Sequence, residues 1–299
     1  MLADVSDDAP NGDQPPVVLT IAGSDSCGGA GLQADLATFG ALGAHGTCAL
    51  TLVSAQNTAE FRSAVPMPPG MVLSQVEAVL DDLDVRSTKT GLLFTEANIA
   101  AVATIAERGR LPMLVVDPVL VGQTGRPLYD ADTCRLMVEC LIPSALVLTP
   151  NHLEAGLLLG RPLGEDPAEW SDAARELAAL GPDAVVITGG RRVGPVEGNT
   201  VDVGVVGGPS GEELVLEGEH FETVNVRGSG DTFSAAIVVG LANGLPLVRA
   251  IEQAHAFTAR ALAGAVSWRL GAGQGPLAHH RSVRRATPGS GADAGEPTS

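Results

Sequence analysis

Short apolar segments alternate with segments of helical periodicity along most of this chain. Runs such as VVLTIA, ALVLTP and DAVVIT are rich in Val, Ile and Leu, and amphipathic stretches such as GLQADLATFGALG follow several of them. Continuously apolar strands that alternate with helices are typical of a mostly parallel sheet covered by helices on both faces. In such folds ligands bind at the carboxyl ends of the strands. The functional side chains are therefore expected just after each apolar run.

The two ends of the chain differ from this central part. Residues 1–15 are acidic and contain prolines, and residues 281–299 are polar and rich in glycine and proline. Neither end shows an apolar period, so both are predicted to be disordered tails. Because no linker composition and no fixed repeat interrupts residues 16–280, this part is predicted to form one α/β domain.

The formal net charge of −17 bears on the partners of the protein. It argues against a nucleic-acid partner and against an anionic membrane, because phosphate groups would be repelled over most of the surface. No apolar run reaches the roughly 20 residues that a membrane span needs. The N-terminus is acidic and does not resemble a signal peptide. The sequence therefore predicts a cytoplasmic protein with no nucleic-acid or membrane partner.

Two common phosphate-binding motifs are excluded by the sequence. A Walker A loop requires Gly-Lys-Ser/Thr, but the single lysine of the chain, Lys89, follows Thr88. The glycines of GSDSCGGAG have the wrong spacing for a dinucleotide-binding turn. A bound nucleotide would need another device for its phosphates. The isolation of Lys89 suggests a specific role, with chance retention as the alternative.

A second glycine-rich segment is a candidate for that device. Gly228, Ser229, Gly230 and Asp231 precede a strongly helical run. Backbone N–H groups that converge at a helix N-terminus favour phosphate oxygens and the charge that develops in phosphoryl transfer. A carboxylate at this point can accept the proton of an attacking alcohol. The alternative is an ordinary turn in which Asp231 caps the helix.

The segment Gly-Ser-Gly-Asp-Thr-Phe (228–233) resembles the G-x-G-D signature of the ribokinase superfamily. Further segments are similar, in order and spacing, to the hydroxymethylpyrimidine and hydroxymethylpyrimidine-phosphate kinases of thiamine biosynthesis. They are TIAGSDSCGGAGLQADL (20–36), TFGALGAHGTCALTLVSAQNT (38–58), STKTGLL (87–93), VVDPVLV (115–121), LTPNHLEA (148–155) and GQGPLAHH (273–280). The resemblance spans roughly residues 17–280. It implies a ribokinase-like three-layer α/β/α fold, ATP and Mg²⁺ as cofactors, a small heteroaromatic alcohol as substrate, and a homodimer.

The resemblance also implies roles for individual residues. Asp231 would be the catalytic base, and the amides of residues 228–230 would form the anion hole. The pyrimidine pocket would be lined by Gly23, Asp35, Gln56 and Val119. A carboxylate and an amide suit an aminopyrimidine, because its ring nitrogens accept hydrogen bonds beside an exocyclic amine that donates them. Asp35 and Gln56 could instead be polar residues at a helix cap and a strand end.

The cofactor residues follow from the same matches. Asp117 and Glu154 would act around Mg²⁺, for which carboxylates are suitable ligands. The residues assigned to ATP and its phosphates are Lys89, Asn151, Glu154, Thr188 and Gly190.

Two departures from the family pattern affect the expected activity. The pyrimidine kinases usually carry His-Gly-Thr-Gly-Cys where this chain has Arg-Gly-Ser-Gly-Asp (227–231), and Lys-Gly-Gly where it has Thr-Gly-Gly (188–190). Asp231 restores the general superfamily base, whereas Thr188 removes a phosphate-facing cation. The predicted function is ATP-dependent phosphorylation of the CH₂OH of 4-amino-5-hydroxymethyl-2-methylpyrimidine, and phosphorylation of its monophosphate is left open. The alternatives are a pyridoxal or pyridoxine kinase and a non-catalytic ligand-binding paralogue.

Overall fold

The computed structural model describes residues 14–122, 125–189 and 200–281. Most of the two predicted tails, residues 1–13 and 282–299, therefore lies outside the described residues. The strands are β1 (Val17–Ala22), β2 (His45–Leu50), β3 (Leu52–Gln56), β4 (Phe61–Pro66), β5 (Val85–Thr90), β6 (Leu114–Val116), β7 (Val147–Leu148), β8 (Ala184–Ile187), β9 (Thr200–Val206) and β10 (Glu212–Gly218). The α-helices are α1 (Gly31–Ala41), α2 (Pro69–Leu80), α3 (Glu96–Glu107), α4 (Ala131–Leu136), α5 (His152–Leu158), α6 (Trp170–Ala178), α7 (Ser229–Ala242) and α8 (Leu247–Ala265).

Eight of the strands form one sheet in the order β10-β9-β8-β7-β6-β5-β1-β2. Its neighbours from β8 to β2 are parallel, and β9 and β10 extend it as an antiparallel edge. β3 and β4 pair in a separate antiparallel sheet. The predicted central, mostly parallel sheet is confirmed.

Apolar side chains cover both faces of this sheet. Successive residues of a strand point to opposite faces, so in β8 Val186 packs with the cluster of α1, α7 and α8, while Val185 packs with the cluster of α2 to α6. Phe233 of α7 and Trp170 of α6 are among the large side chains buried on the two sides. The three-layer α/β/α fold is confirmed. No helix among the described residues is long and apolar enough to cross a membrane.

The loops at one edge of the sheet carry several of the predicted site residues. Gly23 follows β1, Asp117 follows β6, Asn151 lies three residues after β7, and Thr188 follows β8. Because these strands are parallel, their carboxyl ends lie at the same edge.

Candidate active site

Lys89 is the centre of a buried cluster of charges. It lies on β5, and its side chain has no exposed surface. Its Nζ is 2.5 Å from Asp35 Oδ1, 3.2 Å from Asp231 Oδ1 and 3.8 Å from Asp117 Oδ2. One ammonium group therefore faces three carboxyl groups, which come from α1, α7 and the loop after β6.

The pKa values in this cluster reflect burial opposed by ion pairing. Burial raises the pKa of Asp35 to about 7 even though Lys89 favours the ionised form. Burial likewise raises the pKa of Asp117 to about 7 against the effect of Lys89. Burial alone would lower the pKa of Lys89, but the three carboxylates hold it above its ordinary value. Lys89 is therefore charged at neutral pH. Asp35 and Asp117 each gain or lose a proton near that pH.

Asp231 stands in the first turn of α7, which begins directly after Gly228. Gly228 adopts a left-handed conformation with φ of 80°, and a Cβ added there would lie 2.2 Å from Gly29 O, so only glycine fits. Asp231 Oδ2 accepts a hydrogen bond from Gly31 N at 3.0 Å. With Lys89 on Oδ1, the carboxylate is fixed on both oxygens.

A cavity of about 490 Å³ opens beside this helix start. Its walls include residues from the loops after β6, β7 and β8 and from the first turn of α7. Among the predicted site residues, those that line it are Asp117, Val119, Asn151, Glu154, Thr188, Gly228, Ser229, Gly230 and Asp231. The structure therefore brings the predicted base, anion hole, metal ligands and most phosphate-binding residues to one cavity.

Asn151 and Glu154 form a reciprocal cap at the start of α5. Asn151 Oδ1 accepts from Glu154 N at 3.0 Å, and Glu154 Oε2 accepts from Asn151 N at 3.0 Å. Glu154 Oε1 also accepts from Leu120 N at 3.0 Å. These bonds hold the loop in which Val119 has a φ of 42°, a conformation that costs a β-branched residue about 1 to 3 kcal/mol. Glu154 thus supports a strained turn in the cavity wall.

Asp117 and Glu154 also suit the predicted metal. Both residues line the cavity, and carboxylate oxygens are the ligands that Mg²⁺ prefers. The described residues contain no group of three or more His, Cys, Asp or Glu side chains that could hold a metal ion. Mg²⁺ sites in proteins commonly use one or two carboxylates together with substrate phosphates.

Of the residues predicted to line the pyrimidine pocket, Val119 lines this cavity, whereas Gly23, Asp35 and Gln56 do not. Asp35 has no exposed surface, and its two oxygens bond Lys89 and Thr20 Oγ1, the latter at 2.6 Å. Because the carboxylate is fully buried, direct contact with a ring would require the residues that cover it to move. Gln56 ends β3 and exchanges backbone hydrogen bonds with Ser26 Oγ at 2.8 and 2.6 Å. Gln56 therefore borders the loop that links β1 to α1.

Two further predicted phosphate residues differ in location. Thr188 lies in the cavity wall and forms a backbone bridge with Asn151, whereas Gly190 lies outside the described residues. Lys89, which was assigned to the ATP phosphates, is placed behind Asp231 in the charge cluster rather than in the lining of the cavity.

The sequence did not predict the hydrogen-bond partners of two buried carboxylates near the cavity, Asp117 and Asp25. Ser234 Oγ lies 3.0 Å from Asp117 Oδ2. Arg227 Nε donates to Asp25 Oδ2 at 2.8 Å, and both side chains are buried. The signal for Asp25 was its place inside GSDSCGGAG, but nothing local indicates a partner about 200 residues away.

Comparison with known proteins identifies the family. The sequence model of the family described as phosphomethylpyrimidine kinase matches residues 25–278. A hydroxymethylpyrimidine/phosphomethylpyrimidine kinase of Rhizobium meliloti is 40% identical over 268 residues, which cover 89% of this chain and 97% of that relative.

Solved structures extend the comparison to the fold. A pyridoxal kinase of Staphylococcus aureus, solved with AMP-PCP and pyridoxal, has a TM-score of 0.79 and 30% identity, covering 91% of this chain and 96% of its own. A phosphomethylpyrimidine kinase of Clostridium difficile has a TM-score of 0.68 and 30% identity, covering 81% and 97%. The match of the family model over most of the chain decides the assignment. The chain belongs to the phosphomethylpyrimidine kinase family.

Proposed function

We propose that this chain transfers the γ-phosphoryl group of ATP to the CH₂OH of 4-amino-5-hydroxymethyl-2-methylpyrimidine, and to its monophosphate, in thiamine biosynthesis. The observation that carries the proposal is the position of Asp231. Its carboxylate stands at the start of a helix, beside the glycine-led backbone of residues 228–230, in the wall of a cavity with carboxylates suited to Mg²⁺. The names of the relatives support this acceptor class.

The proposed reaction assigns the proton to Asp231. The acceptor oxygen gives its proton to this carboxylate and bonds to the γ-phosphorus, and the bond from phosphorus to the β-phosphate oxygen breaks to release ADP. The amides of residues 228–230 stabilise charge on the transferring phosphoryl oxygens. Asp117 and Glu154 would hold Mg²⁺, directly or through water, and the ion would neutralise phosphate charge. No covalent enzyme intermediate is required.

A pyridoxal or pyridoxine kinase is the second candidate. The similarity to the S. aureus kinase that was solved with pyridoxal favours it. Pyridoxine also presents a CH₂OH group beside a ring nitrogen, so the same base could serve. A non-catalytic paralogue is less well supported, because Asp231 and its glycine-led turn are intact.

An acceptor panel tests the proposal. Purified protein is assayed with ATP and Mg²⁺ against the hydroxymethylpyrimidine, its monophosphate, pyridoxal and pyridoxine. The highest kcat/KM is expected for the hydroxymethylpyrimidine. A higher kcat/KM for a B6 vitamer would replace the proposed function by the second candidate, and no turnover with any acceptor would refute both.

Gln56→Ala is expected to raise KM for the hydroxymethylpyrimidine with little change in KM for ATP. The reason is that Gln56 borders the β1–α1 loop and stands away from the nucleotide cavity. Asn57→Ala is a neighbouring control, because Asn57 Oδ1 accepts hydrogen bonds from the backbone N–H groups of residues 59 and 60. An unchanged acceptor KM in the Gln56 variant would remove this residue from the proposed pocket.

The proposed assembly and location rest on the sequence. A homodimer and a cytoplasmic protein are what the family resemblance and the charge predict. Light scattering on the purified chain measures the first, and fractionation of the producing cells measures the second. Neither proposal affects the assignment of Asp231.

A further inference from the structure

Residues 227–231, which lead into the proposed base, are called the catalytic segment, and its one arginine is buried. Arg227 precedes Gly228, has 1% of its side chain exposed, and donates from Nε to Asp25 Oδ2 at 2.8 Å. Asp25 is equally buried and also accepts from the backbone N–H groups of Cys27 and Gly29 at 3.0 and 3.1 Å. Arg227 is not part of the cavity wall. Its charge is therefore directed at the loop between β1 and α1 and not at the nucleotide.

The ion pair is the first of three contacts between this loop and the catalytic segment. The contacts follow the same order along both segments. Asp25 bonds Arg227. Gly29 O packs against Gly228 so closely that a Cβ there would clash. Gly31 N bonds Asp231 Oδ2 at 3.0 Å. Residues 25–31 and 227–231 thus run alongside each other from the ion pair to the base, and the pair is the only one of these three contacts that two charged side chains form.

The energetics of the pair argue against a purely stabilising role. A buried ion pair loses hydration that its attraction offsets only when the remaining polar atoms are satisfied. Arg227 Nη1 is buried and has no hydrogen-bond partner among the described residues. Despite burial, which alone would raise it, the bonds from Arg227 and Cys27 hold the pKa of Asp25 below its ordinary value, so the pair is charged at neutral pH. The pair therefore fixes a geometry more than it contributes to stability.

We propose that Asp25 and Arg227 are a positioning pair. Their ion pair holds the turn of residues 228–230 at a fixed position relative to the β1–α1 loop. The amides of that turn and the carboxylate of Asp231 are then correctly placed for the substrate that accepts the phosphoryl group. The inference rests on the proposed function, because the acceptor must lie beside this loop. Arg227 stands where the family resemblance implies a histidine. In this proposal Arg227 positions the turn and does not bind phosphate. Positioning errors of about 1 Å can cost about 10²-fold in rate.

The test compares single and double neutral variants. Arg227→Met leaves the Asp25 carboxylate buried without its cation, so both stability and kcat are expected to fall. The double variant Asp25→Asn with Arg227→Met removes both charges, so its thermal midpoint is expected to return close to that of the wild type. Its kcat is expected to stay about 10²-fold low, with KM for ATP within about threefold of the wild type. Arg227→Lys, which keeps a cation, is expected to recover part of kcat.

A purely structural pair gives a different pattern. In that case kcat of the double variant would recover together with the thermal midpoint, and this result would overturn the inference. Arg110→Met is the matched control, because Arg110 forms an ion pair with Asp81 at 2.7 Å on the surface, and its loss should change neither quantity.

Hydrogen exchange provides a readout that needs no acceptor. The double variant is expected to exchange the hydrogen-bonded amides of Arg227, Ser229 and Thr232, which donate to Gly275 O, Val226 O and Gly228 O, at least about tenfold faster than the wild type, with β5 and β6 unchanged. Unchanged exchange in this segment would refute the inference even if the protein turned over none of the proposed acceptors. Failure of the acceptor panel with faster exchange would refute only the proposed function.

Discussion

Asp231→Asn is expected to lower kcat by roughly 10²- to 10⁴-fold with the fold and ATP binding retained. The amide cannot take the proton of the acceptor hydroxyl, but its oxygen can still accept the hydrogen bond from Gly31 N. The amide nitrogen then faces Lys89, so the ion pair between Lys89 and residue 231 is lost. The removal of one of the three clustered carboxylates offsets this loss. Stopped-flow or coupled assays give kcat, and titration calorimetry gives the affinity for ATP.

Asp231→Cys separates proton acceptance from shape. The resemblance to the pyrimidine kinases implies cysteine at this position, and a thiolate can accept a proton, so this variant should keep more activity than the asparagine variant. Circular dichroism controls for folding. If the asparagine variant turned over near the wild-type rate, the carboxylate would serve only the helix start, and the base would have to lie elsewhere.

The parts of the fold that the sequence predicted are those set by local periodicity. Continuous apolar runs such as AVVI in β8 indicated buried parallel strands, and β8 is buried and pairs in parallel with β7. Because parallel strands present their carboxyl ends at one edge, the polar residues after those runs were expected to meet. Asp117, Asn151 and Thr188 do meet in one cavity wall.

The parts that the sequence could not predict depend on contacts between distant segments. The pairing of Asp25 with Arg227 spans about 200 residues and needs two glycine-rich turns to approach, so no local pattern indicates it. Val119 adopts a left-handed conformation that its β-branched side chain disfavours, and the following turn is held by the hydrogen bond that Leu120 N donates to Glu154 Oε1. The partners of Lys89 likewise lie on three separate elements.

Lys89→Met is expected to destabilise the protein by about 3 to 5 kcal/mol at pH 8.5 and to reduce activity strongly. Removing one partner of a buried ion pair leaves its charge uncompensated. Here Asp35, Asp117 and Asp231 would lose the single cation that faces them. Lys89→Arg keeps the charge, but its larger planar group must fit a site with no exposed surface, so a smaller loss of stability and a clear loss of activity are expected. Urea denaturation measures the free energy of unfolding.

The pH dependence of this loss distinguishes electrostatics from packing. A carboxyl whose pKa is higher in the folded chain than in the unfolded one, as for Asp35 and Asp117 at about 7 against about 4, binds more protons when folded between those values. Stability from such groups therefore rises as the pH falls through that window. Without Lys89 the window extends to higher pH, so the deficit of the methionine variant should be smaller at pH 6 than at pH 8.5. Adding Asp35→Asn to this variant should restore part of the stability at pH 8.5. An equal deficit at both pH values, unrelieved by Asp35→Asn, would mean that Lys89 acts through packing alone.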